Sequence, residues 1–112
     1  MTTGKAPTLP KSLESEGRAF WRDVTTTFRL EPHELVTLKL ACEALDVAAA
    51  ARAELRAHGS VTVVDKYGQT RAHPACAVER DARSSYARCV ALLKLPDIDG
   101  QRPRIGRPGR RF

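Results

Sequence analysis

Five arginines stand in the closing run QRPRIGRPGRRF, residues 101–112: Arg102, Arg104, Arg107, Arg110 and Arg111, with no acid among them. A guanidinium is always charged, and its planar fork of donors matches a phosphate. Five in so short a run suit a polyanion, nucleic acid first of all. They also account for the charge of the whole chain. The net charge of +6 comes from 19 Lys+Arg against 13 Asp+Glu, and without these five the remaining 14 basic residues leave only +1. A nearly neutral body therefore carries a basic tail. Pro103, Pro108, Gly106 and Gly109 oppose helix and strand, so residues 98–112 are expected as a disordered tail. Five phosphate contacts would give a salt slope of about −4.5, at roughly −0.9 per phosphate. Docking on an acidic partner protein, or plain solubilisation, is the competing use of such a tail.

Other residues bear on the same chemistry. The segment Arg104-Ile105-Gly106-Arg107-Pro108-Gly109-Arg110 loosely resembles a minor-groove hook built around Gly-Arg-Pro, with Ile105 and Gly109 as departures. Such a segment is narrow enough to carry arginines into the minor groove of A·T-rich DNA. At about 100° per residue, Arg18, Arg22 and Arg29 fall within roughly 40° of one another on a helix. That makes either a phosphate-contacting stripe or an ordinary solvated face with Glu14 and Arg18 paired. Trp21, Phe20 and Phe28 follow helical spacing and are expected as core anchors rather than base-stacking residues.

Catalytic and metal chemistry find little support. There is no phosphate-binding glycine loop with its Lys and Ser/Thr, and no Cys–His pair at a recognisable spacing. Asp97 and Asp99 sit in a loop flanked by Pro96 and Gly100 and suit a turn. His73 and Cys76, with Cys89 further on, lack the paired spacing of a zinc site. No metal, no cofactor and no enzymatic activity are expected. The odd set Cys42, Cys76 and Cys89 reads as reduced thiols in a cytosolic compartment. No stretch approaches the roughly 18 apolar residues of a membrane span, so no membrane partner is expected.

The elements that hold these residues are mainly helical. A length of 112 residues supports one domain, and 5% aromatic content in an Ala- and Leu-rich chain favours helix over sheet. Residues 1–11, with Gly4, Pro7 and Pro10, form a flexible arm. Helix one is expected over 13–29, capped by Ser12 and weakened at its end by Thr25, Thr26 and Thr27. Pro32 opens helix two, which runs to His58 before Gly59. On it Leu35, Leu38, Cys42, Leu45 and Ala49 make a seam for a second helix, within the subunit, between subunits, or both. Val61 and Val63 lead into a small β-hairpin over Ser60–Ala72, turning at Asp65-Lys66-Tyr67-Gly68. Helix three starts at Pro74, carries Val78, Ala82, Tyr86, Cys89 and Leu93 on one face, and stops near Lys94. The fold class is therefore mainly α: a helical hairpin with a preceding helix and a short β-hairpin between the second and third helices. The folded domain is expected over 12–97.

This order, with particular residues at its joints, resembles the small subunit of phage terminase. The matching residues are Leu9-Pro10, Leu13, Gly17 and Trp21, then the Leu30–Glu34 joint into a long helix with Cys42 near its middle. Leu55 and Gly59 follow, then Val61-Thr62-Val63, Gly68, Pro74 and the ending Leu92-Leu93-Lys94-Leu95-Pro96. The match covers about residues 9–97. Three joints depart from it: Glu31 where Thr or Ser is typical, His73 where Asn precedes the proline, and Lys94 in place of a common glycine. The resemblance implies a non-enzymatic, ring-forming homo-oligomer in the cytoplasm of an infected bacterial host. It would bind double-stranded viral DNA and deliver it to the large ATPase–nuclease terminase subunit. On that reading Arg18, Arg22, Arg29 and the tail arginines contact DNA, while Leu35, Leu38, Leu45, Val61, Val63 and Tyr86 join subunits. A stand-alone minor-groove binder and an adaptor without DNA affinity are the alternatives.

Overall fold

A computed structural model describes residues 7–96 of the chain. It is mainly α, in the order α1 (Ser15–Thr27), α2 (Pro32–His58), β1 (Thr62–Val64), β2 (Thr70–Ala72) and α3 (Pro74–Leu93). α2 and α3 form the helical hairpin, and α1 packs on α2. The strands pair antiparallel, with Val63 opposite Arg71, in the connection between α2 and α3. The arm expected over 1–11 is described only from Pro7, and there Leu9 already packs on the core.

The bounds of α2 are those the sequence predicts. Pro32 needs no N–H partner in the first turn. The Glu31 N–H donates to Glu34 Oε1 at 2.8 Å, so an acid three residues on satisfies the joint where Ser or Thr is usual. Gly59 closes α2 at φ 86°, the left-handed conformation that glycine adopts without a Cβ clash. α3 repeats the proline start. His73 Nδ1 accepts the Ala75 N–H at 3.0 Å and serves as a working cap. At the other end Lys94 itself takes the left-handed conformation, φ 51° and ψ 46°, with its N–H donating to the Ala91 carbonyl at 3.2 Å.

α1 is shorter than the expected 13–29. Phe28 is extended, with φ −123° and ψ 149°, and Thr25 bonds back to the Trp21 carbonyl at 2.8 Å. Leu13 precedes the helix and is fully buried. Ser12 does not cap it. The cap position belongs to Glu14, whose side chain makes no cap bond. The helix start is satisfied instead from α2. Asp46 Oδ2 accepts the Glu14 N–H and Oδ1 accepts the Gly17 N–H, each at 2.7 Å. One carboxylate thus performs both halves of a capping box from another helix, facing the positive end of the α1 dipole. Gly17 allows this approach: a Cβ there would meet the Cys42 carbonyl oxygen at 2.8 Å and press on the Asp46 carboxylate.

The main core gathers Leu13, Trp21, Val24, Leu38, Cys42 and Leu93, with Phe20, Phe28, Leu30, Leu35 and Leu95 packed around it. Ala41, Ala44, Ala48 and Ala51 are buried on α2, as are Ala75 and Ala82 on α3. The seam expected on α2 is accordingly divided. Leu38 and Cys42 are fully buried, whereas Leu35, Leu45 and Ala49 are half-buried, because α1 and α3 approach α2 from different sides. Arg52 spans from Glu16 of α1 at 3.5 Å to Glu79 of α3 at 3.1 Å. Arg83 joins the same Glu79 at 3.1 Å, and hydrogen bonds from Arg83 and Arg52 hold that carboxyl below its ordinary range. Burial, reinforced by Asp46 and Glu43, pushes the Cys42 thiol up to about 12.

Three outcomes follow from this packing. Gly17→Ala should lower unfolding stability by about 2 kcal/mol, since the added methyl overpacks a joint lined by backbone. Asp46→Ala should cost about 1–2 kcal/mol by leaving two amides uncapped. Lys94→Gly should raise stability by about 1 kcal/mol by removing a strained left-handed residue. Urea denaturation measures all three. Cys42 should stay unreactive toward a thiol reagent at pH 8 while Cys76 reacts. Its contribution to stability should be complete below the ordinary thiol value of 9.0 and fall as pH rises toward about 12.

Candidate nucleic-acid interface

α1 turns Gly17, Trp21 and Val24 inward, which leaves Arg18 and Arg22 exposed one turn apart on its outer side. Arg29 is exposed as well, but it follows the extended Phe28 and lies beyond the helix. The angular alignment expected for all three arginines therefore holds for Arg18 and Arg22 alone. Among the described residues no carboxylate forms an ion pair with any of them. The Glu14–Arg18 pair of the alternative, an ordinary solvated face, is not formed among the described residues. Glu14 stands at the helix cap, and the acid that does pair, Glu16, reaches Arg52.

Five other basic groups of the body form ion pairs, while Lys11, Arg56, Lys66, Arg88 and Lys94 form none among the described residues. Arg52 and Arg83 share Glu79, Arg80 pairs with Asp81, and Lys39 with Glu43. Arg71 is tied to Asp65, which also accepts the Tyr67 and Gln69 N–H groups and so fixes the hairpin turn. The Arg71 bond, helped by those amides, holds the Asp65 carboxyl below its ordinary value. At the tip Lys66 lies 5.3 Å from the Tyr67 ring centroid. Arg52, which laces the three helices together, is thus distinct from Arg18 and Arg22, which face outward. Arg102, Arg104, Arg107, Arg110 and Arg111 lie outside the described residues.

His73 and Cys76 hold the base of the hairpin. The His73 N–H donates to the Val61 carbonyl at 2.8 Å, and the Cys76 thiol donates to the same oxygen at 3.7 Å. His58 Nε2 lies 3.1 Å from the Thr62 carbonyl, and the His58 and His73 rings meet edge to face at 4.8 Å. Among the described residues no three His, Cys, Asp or Glu side chains gather as a metal ion would require. No described helix is long and apolar enough to cross a membrane.

The residues expected at subunit contacts are scattered. Leu38 is enclosed in the core of its own chain, which corrects its placement at an oligomer seam: nothing of it reaches the surface. Leu35 and Leu45 are half-buried, and Tyr86 sets its ring edge-on to Phe20 at 5.4 Å. Val61 is exposed and Val63 half-buried at the hairpin. Sequence reasoning missed Val36, Leu40 and Val47 on α2 and Leu92 on α3, and it set Val78 on the packed face of α3; all five are exposed. Their signal was present as a second register on α2, one that the leucine-rich first register masked. No protein-family model matches the chain, and no curated protein or solved structure matches it.

Proposed function

We propose that the chain is the small subunit of a phage terminase. It binds viral double-stranded DNA as a homo-oligomer and delivers it to the large ATPase–nuclease subunit for genome packaging in the infected bacterial host. The observation that carries this reading is the sorting of charge. Glu16 and Glu79 neutralise Arg52, the arginine that connects the helices, while Arg18 and Arg22 face outward unpaired and five more arginines follow in the acid-free C-terminal run. The element order, a helix, a long helix, a β-hairpin and a helix, agrees with the resemblance in the sequence. The chemistry is phosphate neutralisation with counterion release, and it calls for no catalytic group. Repetition of a weak patch in an oligomer raises effective concentration, so single contacts sum to useful avidity.

Titration of duplex DNA at several salt concentrations tests the reading. Changing Arg18 and Arg22 together to Ala should flatten the slope of log K against log salt by about 2, and changing the five tail arginines by about 4.5. Unchanged slopes in both variants would remove DNA from the proposal. Copurification with a large ATPase–nuclease separates the packaging role from a stand-alone minor-groove binder. An adaptor would show little DNA affinity at physiological salt.

A further inference from the structure

We infer that the face of the α2–α3 hairpin turned away from α1 is a self-association surface, where the hairpin of a second copy packs to complete a four-helix bundle. The inference rests on the oligomeric part of the reading above and narrows it to one face and one register. The face is apolar and open. Val36 is 61% exposed, Leu40 52% and Val47 46% on α2, with Val78 46% and Leu92 67% on α3. On α2 they belong to the series Val36, Leu40, Glu43, Val47, in steps of four and three, and on α3 Val78, Ser85 and Leu92 recur every seven residues at the edge of the buried Ala82. Both spacings are those of a helix-packing seam.

At about 100° per residue, this outer stripe lies roughly 80° around each helix from the stripe buried between α2 and α3. A helix with two seams near a right angle is shaped for two neighbours, as in a four-helix bundle. On each helix the inner seam is filled by the other helix of the hairpin. α1 meets α2 on another side, through Cys42 and Asp46, and leaves the outer seam clear.

Charge selects a second copy as the occupant. The Arg52–Glu79 contact at 3.1 Å fixes the relative height of the two helices. Glu43 lies nine residues before Arg52 and Arg88 nine residues after Glu79, so the two stand level. A twofold axis along the bundle lays α2 of each copy antiparallel to α3 of the other at the same height. Glu43 of one copy then faces Arg88 of the other, twice per pair. Arg88 is exposed and has no ion-pair partner among the described residues, and Glu43 has only Lys39 at 4.0 Å. The contact repeats between chains the α2–α3 pairing made within one. Because it is twofold, assemblies built on it hold an even number of subunits.

Light scattering coupled to size exclusion on the full-length chain tests this, with far-UV circular dichroism and a urea transition confirming the fold of each variant. The wild type should be an even-numbered assembly. Leu40→Glu with Leu92→Glu should reduce its mass while the helical signal persists. Glu43→Arg alone and Arg88→Glu alone should each weaken association about tenfold, and the two together should restore it. A wild-type mass retained by the Leu40→Glu, Leu92→Glu variant, an odd-numbered assembly, or a charge swap without rescue would overturn the inference. DNA titration of the same samples keeps the two readings apart. Rescue of association in a protein that ignores DNA would sustain this face and remove the packaging role. DNA binding by a wild-type monomer would overturn the face and leave the DNA contact standing.

Discussion

The Asp46 carboxylate is the contact on which the arrangement of the subunit depends. α1 has no working cap of its own, since Ser12 lies too far from its start and the Glu14 side chain makes no cap bond. Its first turn is completed only when α2 is beside it, with one carboxylate taking both the Glu14 and Gly17 amides. The glycine lets the two backbones come close enough for that, and the approach lowers Trp21 and Val24 onto Leu38 and Cys42. The outward side of α1 is then settled as well. Arg18 and Arg22 face solvent because the opposite side of their helix is committed to this joint. A charged hydrogen bond, a missing Cβ and a shared core act here as one unit, and the same burial explains the high thiol value of Cys42.

Much of the fold was legible in the sequence, and the physics shows why the rest was not. α2 begins and ends where predicted because proline and glycine act locally: each fixes its own backbone without help from distant residues. The β-hairpin was legible for a similar reason, from β-branched valines followed by a turn. α1 was misjudged at both ends because its start is set by a residue 29 positions away and no local signal points to Asp46. Its end was set by Thr25, whose hydroxyl satisfies a carbonyl inside the helix, and by an extended Phe28. The seam of α2 was read one register off in part. The leucines mark its α1 side, while the α3 side is built from alanines, whose small size carries little hydrophobic signal but allows close approach.

The candidate site was legible to a different degree. Charge counting found the arginines, but the sequence could not show which were engaged. Glu14 lies four residues before Arg18, the spacing of a helical ion pair, yet Glu14 stands at the helix terminus and Glu16 turns toward Arg52. Three joints that lack the usual capping residue satisfy the backbone by other means. Glu34 takes the amide at Glu31, a histidine ring caps α3, and a lysine occupies the left-handed stop. Such substitutions hide from a reading of residue types because the function lies in the backbone group satisfied, not in the side chain that satisfies it.

The β-hairpin has a consequence of another kind. Its attachment lies at one end, where the Val61 carbonyl is held by His73 and Cys76 and the Thr62 carbonyl by His58. Its turn is self-contained: Asp65 organises it through Tyr67, Gln69 and Arg71, without help from the helices. A unit fastened at its base and organised independently at its tip can vary in length without disturbing what lies beneath. Among the described residues, the turn after Val64 is therefore a place where the chain can gain or lose residues, and where a foreign peptide can be displayed with little disturbance to the helices.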